Sequence, residues 1–152
     1  MSHYKFTGET KEFYGTTLRR IVATQDLPCG VKAGDVGGWI EKESNLSGSA
    51  WVYGEARVYG EATVSGLARV YGLARVYGEA KIESSDMLMV VSFMAFYSVS
   101  ITKKLVFIGC KQFKANEIKR MTLKQAKDHG LSNDKIFKPM KAMILEALKI
   151  VK

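Results

Sequence analysis

The sequence predicts a mainly β protein: a short parallel β-helix of hexapeptide repeats, preceded by an N-terminal β cap and followed by a C-terminal α+β segment. Three observations predict this class. A branched apolar residue and a small residue each recur every six positions through the middle of the 152-residue chain. The residues before this repeat read as short strands, and helical patterns follow it near the end of the chain. We therefore divide the chain into residues 1–38, 39–83 and 84–152.

Residues 1–38 are predicted to form the N-terminal β cap. Short strands are expected at residues 4–6 and within residues 16–24, on either side of a glycine-containing turn. Because a β-helix has open strand edges at its ends, a terminal segment must cover them. Residues 33–38, AGDVGG, are interpreted as a turn leading into the first coil, since neither the Lys-Ser/Thr pair nor the helix of a phosphate-binding loop follows them.

The six-residue repeat defines the middle segment, residues 39–83. A period of six fits neither one helix nor one strand, so each hexad is expected to make a short strand and a corner. Branched side chains would fill a narrow core, and glycine would supply the backbone freedom of the corner. Three hexads close one coil, so residues 18 apart are expected to lie above one another. The branched positions are Ile40, Leu46, Val52, Val58, Val64, Val70, Val76 and Ile82; the small ones are Ala50, Ala56, Ala62, Ala68, Ala74 and Ala80, with Gly48, Gly54, Gly60, Gly66, Gly72 and Gly78.

The phrases VYGEARVYGEA and VKAGDVGGWIEKESNLSGSAWVYG, the latter at residues 31–54, resemble the hexapeptide-repeat proteins of small phages and prophages. The resemblance extends more weakly through LVFIGCKQF at residues 105–113 and the helical tail. It implies a left-handed β-helix, whereas the general rule for parallel crossovers would favour the right hand. Some members of that family are labelled acyltransferases, and many have no assigned activity.

The 18-residue spacing predicts ladders of outward side chains, Tyr over Tyr and Arg over Arg. Such ladders are either solvated rows that shield the backbone or a flat surface for a partner, because aromatic and Arg side chains carry much of the energy of interfaces. Leu67 and Leu73 stand where other hexads have Glu, and they favour the partner surface. The candidate interaction residues are Trp51, Tyr53, Arg57, Tyr59, Arg69, Tyr71, Arg75 and Tyr77.

The last third of the chain is predicted to form the α+β segment. Its apolar run reads as two or three buried strands, with residues 102–104 in a hairpin turn. Thr122 and Gln125 form a capping-box pattern for a helix that ends at residues 129–130. A second helix is expected to follow, with Pro139 in or near its first turn. The apolar stripe of that helix is Ile136, Met140, Ile144, Ala147, Leu148 and Val151.

The net charge of +8 is concentrated in the same segment. Residues 103–152 contain 13 Lys or Arg against four Asp or Glu, a net of +9, which leaves −1 for residues 1–102. Clustered basic residues are either a solvated face or a contact for phosphates through charge neutralisation. Any nucleic-acid contact by this tail is expected to be non-specific, because no known nucleic-acid module is recognisable. The basic patch is Lys103, Lys104, Lys111, Lys114, Lys119, Arg120, Lys124 and Lys127.

Candidate catalytic groups are few. The histidines are His3, expected at a mobile N-terminus, and His129, expected at a helix end. Acyltransferases of the hexapeptide class use a histidine base beside a groove between subunits, and the repeats here contain none. Cys29 and Cys110 have no CxxC spacing and are interpreted as reduced thiols, with Cys110 as a nucleophile only if His129 approaches it. We therefore assign no catalytic residue, no metal site and no cofactor.

The resemblance implies a non-catalytic phage-type protein that binds a host protein or ribonucleoprotein in the bacterial cytoplasm. Inhibition of an RNA-guided, CRISPR-type defence nuclease is the concrete candidate role, since small phage proteins without catalytic residues often block host machinery. Two alternatives stay open: an acyl-CoA-dependent acyltransferase of the hexapeptide-repeat class with His129 as its base, and a structural assembly protein. A homo-oligomer, either dimer or trimer, is expected, and no apolar run is long enough for a membrane-spanning helix.

Overall fold

The computed structural model describes residues 2–84, 87–93, 97–109, 111–131 and 134–151. Within these ranges the strands are β1 (Tyr4–Phe13), β2 (Thr16–Ala23), β3 (Val36–Ile40), β4 (Trp51–Val52), β5 (Arg57–Val58), β6 (Thr63–Val64), β7 (Arg69–Val70), β8 (Arg75–Val76), β9 (Lys81–Ile82), β10 (Met89–Phe93), β11 (Tyr97–Ile101), β12 (Leu105–Ile108) and β13 (Lys111–Lys114). The α-helices in the same ranges are α1 (Ala115–Arg120), α2 (Leu123–Asp128) and α3 (Asp134–Ile150), and a 3₁₀ turn covers Glu43–Asn45.

Strands β1 and β2 form an antiparallel hairpin that is longer than the short strands predicted. Tyr14 and Gly15 make its two-residue turn with φ angles of 48° and 78°, the left-handed conformation that suits the twist of a tight hairpin. β2 then pairs antiparallel with β3, and β3 pairs in parallel with β5 on its other side. The hairpin therefore extends a sheet that the repeat strands continue.

The repeat segment, residues 39–83, places residues 18 apart side by side. Its two-residue strands pair in parallel as β4 with β7, β5 with β8, and β6 with β9. Val52 lies beside Val70, for example, and Val64 lies beside Ile82. Successive hexads therefore contribute to three different sheets in rotation, and the predicted 18-residue stacking is confirmed.

The inner side chains of these hexads form the first core. All eight branched positions and all six alanines of the repeat are at most 3% exposed. Tyr4 joins this core from β1, where its hydroxyl donates to the carbonyl oxygen of Glu43 at 3.1 Å. Burial raises the pKa of Tyr4 to about 12. The hairpin is thus fastened to the repeat segment by apolar packing as well as by strand pairing.

The fold class predicted from the sequence is wrong. In place of a mainly β protein around a left-handed parallel β-helix, the described residues form four sheets of mixed orientation together with three α-helices. The largest sheet has the order β1-β2-β3-β5-β8, with two antiparallel and two parallel pairings. The hexad pattern specifies which residues pair at a spacing of 18, but it does not encode the pairing of β3 with β2. The N-terminal strands are therefore members of a shared sheet, and the fold is a mixed α+β one.

The C-terminal segment adds a four-stranded antiparallel sheet, β10 to β13, which has more strands than the two or three predicted. The predicted hairpin turn is confirmed, since the Leu105 amide donates to the Thr102 hydroxyl oxygen at 2.9 Å. The predicted helix cap is confirmed as well, since the Gln125 amide donates to the Thr122 hydroxyl oxygen at 3.3 Å. Pro139 is the sixth residue of α3, at the start of its second turn, which is near the first turn as predicted.

A second core fills the space between this sheet and the helices. Val106 and Ile108 of β12 pack there with Ile118 of α1 and with Met140 of α3. Phe107, which lies between Val106 and Ile108, belongs instead to the first core. Strand β12 therefore contributes side chains to both cores. Among the described residues, no helix has the length and apolar character that crossing a bilayer requires.

Candidate interaction surface

Two pairs of tyrosines stack on the outside of the repeat segment. The rings of Tyr53 and Tyr71 lie 4.4 Å apart at an angle of 14°, and those of Tyr59 and Tyr77 lie 5.0 Å apart at 10°. Each tyrosine directly follows a two-residue strand, so the parallel register of 18 residues brings the two rings of a pair together. The stacking predicted from the sequence is confirmed.

The eight candidate interaction residues are divided between two sheets and do not form one flat surface. Four of them lie on the paired strands β4 and β7 or directly after these strands. The other four lie on the paired strands β5 and β8 or directly after them. The first group is Trp51, Tyr53, Arg69 and Tyr71, and the second is Arg57, Tyr59, Arg75 and Tyr77. The sequence could not separate them, because the hexad pattern is the same on every face.

Trp51 is not on the surface. It is 1% exposed, and its ring lies 6.2 Å from the ring of His3. His3 is itself buried, and its Nε2 donates to the carbonyl oxygen of Ala50 at 2.8 Å. The expectation of a mobile N-terminus at His3 is therefore wrong, because this side chain satisfies a buried carbonyl and covers Trp51.

The second group is largely covered by other parts of the chain. The Phe13 ring of β1 lies 4.2 Å from the Arg57 guanidinium and 5.0 Å from that of Arg75. Phe107 of β12 packs on the Tyr77 ring at 4.6 Å. Burial and the positive charge of Arg75 lower the pKa of Arg57. These residues join the hairpin, the repeat segment and the C-terminal sheet, so their side chains have a structural role.

The first group lies beside an exposed run of the repeat segment. Leu67 is 61% exposed, Tyr71 is 46% exposed and Leu73 is 54% exposed. Arg69 lies between them, and a hydrogen bond with Tyr71 raises the pKa of its guanidinium. Tyr53 is half-buried beneath Tyr71, and burial together with the Cys29 thiol raises its pKa. We call Leu67, Arg69, Tyr71, Leu73 and Tyr53 the β7 face.

The basic patch is divided as well. Lys103, Lys104 and Lys114 line a cleft of about 750 Å³, which we call the lysine cleft. Lys111 and Arg120 line a second cleft of about 600 Å³ together with His129. The side chains of Lys119, Lys124 and Lys127 are exposed and line neither cleft. Lys81 was not part of the predicted basic patch, and the fold brings it from the last hexad into the lysine cleft.

The histidine and cysteine that were considered as catalytic groups are not seen together in the described part of the chain. His129 is exposed after the end of α2, where its ring contacts that of Phe113 at 5.3 Å. Cys29 is a free, partly buried thiol, whereas Cys110, the candidate nucleophile, lies outside the described residues. No group of three or more His, Cys, Asp or Glu side chains suited to a metal ion occurs in the described part of the chain.

No protein-family model matches the chain, and no curated protein matches it closely enough to count as a relative. The resemblance to phage hexapeptide-repeat proteins therefore stays a prediction from the quoted residues.

Proposed function

We propose that this chain is a non-catalytic interaction protein that binds a host macromolecule through the β7 face, in the cytoplasm of a bacterial cell. The observation that carries the proposal is the exposure of Leu67 and Leu73. The equivalent positions of other hexads hold Glu55, Glu61 and Glu79. Folding of the hexads does not require leucine there, so the two leucines point to contact with another surface.

The residues between the leucines have the composition of an interface centre. Arg69 and Tyr71 alternate with the buried Ala68 and Val70, so their side chains face outward along the same run of chain as both leucines. Aromatic and Arg side chains are enriched where interfaces have their largest energies. Stacking on Tyr53 fixes the Tyr71 ring before any partner arrives, which lowers the entropic cost of binding.

The charge of the molecule favours an acidic partner. The β7 face carries Arg69 and no acidic residue, and residues 103–152 have a net charge of +9 from 13 basic and four acidic residues. A complementary negative surface would accelerate association and set its orientation. The resemblance to phage proteins makes an RNA-guided, CRISPR-type defence nuclease the candidate target, because inhibition by binding needs no catalytic group on the inhibitor.

The test is capture of the target by the tagged protein from a bacterial host lysate, with and without nuclease treatment, followed by an activity assay of the captured component. We expect the wild-type chain to retain one host protein or ribonucleoprotein in stoichiometric amount and to inhibit it. The variant Leu67→Glu/Leu73→Glu introduces the residue that three other hexads hold at this position, so it should fold normally yet bind at least about tenfold more weakly.

Ile150→Glu, which makes one such change instead of two, is the control. Ile150 is 67% exposed on α3, so the same change from an apolar to an acidic side chain is made away from the β7 face. Equal losses in both variants would contradict the proposal. Self-association abolished by the double leucine variant would support the assembly alternative, whereas acyl-CoA binding abolished by His129→Ala would support the acyltransferase alternative.

A further inference from the structure

The lysine cleft lies where the repeat segment meets the C-terminal segment. Its wall is formed by residues 79–81 of the last hexad, by residues 102–105 of the β11–β12 turn, and by residues 114–116 at the start of α1. Its volume of about 750 Å³ falls in the range of small-molecule sites. The cleft shares no residue with the β7 face, so it is a separate candidate site.

Four lysines line this cleft against one acidic residue, Glu79. In the described part of the chain, none of the four ammonium groups forms an ion pair with a carboxylate. Elsewhere, Lys11, Lys32, Lys42 and Lys149 are each paired within 3 Å. Like charges gathered around a concave surface repel one another and raise the local positive potential. The lysines of the cleft are Lys81, Lys103, Lys104 and Lys114.

The rest of the cleft is suited to an organic group. Ala80, Met87, Leu105 and Ala115 contribute apolar surface, and Thr102 and Asn116 add neutral polar groups. Apolar surface with a few convergent polar groups is the usual composition of a small-molecule site. The lysines come from three separate elements, so they can approach a group with several negative charges from different sides.

From this geometry we infer that the lysine cleft binds the polyphosphate group of a small anionic molecule. Lysine binds phosphates as a point charge through up to three donors, and several phosphates are needed to neutralise four ammonium groups. Two sources share this chemistry, a nucleoside triphosphate and free polyphosphate. The apolar surface of the cleft favours the nucleotide, because it can contact a base or a ribose.

Isothermal titration of the full chain at low salt tests the inference, with ATP, inorganic triphosphate and adenosine as separate ligands. We expect ATP to bind more tightly than triphosphate and adenosine not to bind. Higher salt should weaken binding of both anions because it screens the ammonium groups. Triphosphate binding as tight as ATP binding would support the site and identify free polyphosphate as its source.

The diagnostic variant is Lys103→Gln/Lys114→Gln, and Lys119→Gln/Lys124→Gln is its control. All four side chains are exposed, and both variants remove two positive charges, but the control residues line neither cleft. We expect ATP affinity to fall at least about tenfold in the first variant and less than about twofold in the second. Equal losses would overturn the inference, as would no binding of either anion. A further ligand to compare is a 20-nucleotide single strand. If it bound more tightly than both anions, and if both variants weakened its binding equally, the lysines would form a diffuse nucleic-acid surface instead of a cleft site.

Discussion

The glycines of the hexads differ in what surrounds them, although their backbones are alike. Gly66 and Gly72 have φ angles of +63° and +64°. A Cβ at Gly66 would lie 2.6 Å from the carbonyl oxygen of Glu83, whereas a Cβ at Gly72 would have no atom within 4 Å. The left-handed backbone makes glycine favourable at both positions, and only Gly66 is also restricted by a neighbour.

We predict that Gly72→Ala lowers the free energy of unfolding by about 1 kcal/mol, the cost of a Cβ in the left-handed region. Gly66→Ala should cost about 1–3 kcal/mol more, because the backbone near Glu83 must also move. Urea denaturation of both variants measures this difference. If the two variants were equally stable, the close approach of the Glu83 carbonyl would have no energetic weight.

At the scale of single residues, some contacts of the candidate site could be predicted from the sequence and others could not. The tyrosine stacks were predictable because the hexad spacing alone sets which residues are neighbours. The contact between Trp51 and His3 was not predictable, because the two residues are 48 positions apart in the sequence and meet only where the His3 ring donates a hydrogen bond to the Ala50 carbonyl oxygen. Long-range packing of this kind leaves no periodic signal.

At the scale of elements, side-chain hydroxyls attach the C-terminal sheet to the repeat segment. The Arg75 amide of β8 donates to the Ser100 hydroxyl oxygen at 3.1 Å, and the Ser98 hydroxyl donates to the carbonyl oxygen of Leu73 at 2.8 Å. Both serines lie on β11, so alternate residues of one strand satisfy backbone groups of the other segment. Strand β11 thereby covers part of the β8 edge, which would otherwise be open to pairing with another chain.

We predict that Ser100→Ala lowers the free energy of unfolding by about 1–3 kcal/mol, because Ser100 is buried and its loss leaves the Arg75 amide without this acceptor. Ser98→Ala is the control and should cost less than about 1 kcal/mol, since its hydrogen bond is exposed and water can replace it. Chemical denaturation gives both values, and amide hydrogen exchange at Arg75 should accelerate only in Ser100→Ala. Unchanged exchange there would show that the contact is not stabilising.

Some elements of the fold are encoded locally in the sequence and others are not. The cap of α2 was predictable because Thr122 and Gln125 interact three residues apart, whatever the rest of the fold does. Helix α1 has six residues, too few for a 3.6-residue period to be recognised. Strand β13 has one buried residue, Phe113, among polar neighbours, so its composition does not predict a strand. Its extended conformation comes from its pairing with β12.

At the scale of the whole molecule, two cores meet at one strand. Phe107 is 1% exposed and packs on Tyr77 in the first core, while Val106 and Ile108 face the second. Successive side chains of β12 point to opposite faces of the strand, so β12 packs into both cores and couples the repeat segment to the helices. The sequence indicated the hexad pairing and the helices α2 and α3. It did not indicate this coupling or the shared five-stranded sheet, because both depend on contacts between segments that have no common sequence period.

We predict that Phe107→Ala costs about 3–5 kcal/mol and splits thermal unfolding into two transitions, because it removes the large side chain that β12 contributes to the first core. Val106→Ala is the control: it weakens the second core alone and should leave Phe107 in contact with Tyr77. Calorimetry combined with hydrogen exchange distinguishes the two effects. A single transition in Phe107→Ala would show that other contacts suffice to couple the cores.

The rotation of successive hexads among three sheets also constrains how such a chain can change its length. Loss or gain of 18 residues returns every later strand to its own sheet, so the C-terminal sheet would still meet the strand it now covers. A change of six residues keeps the local pattern intact yet transfers every later strand to the next sheet, and Ser98 and Ser100 would face a different side of the molecule. We therefore expect duplications and deletions to preserve the fold in steps of three hexads, and shorter steps to turn one end of the protein relative to the other.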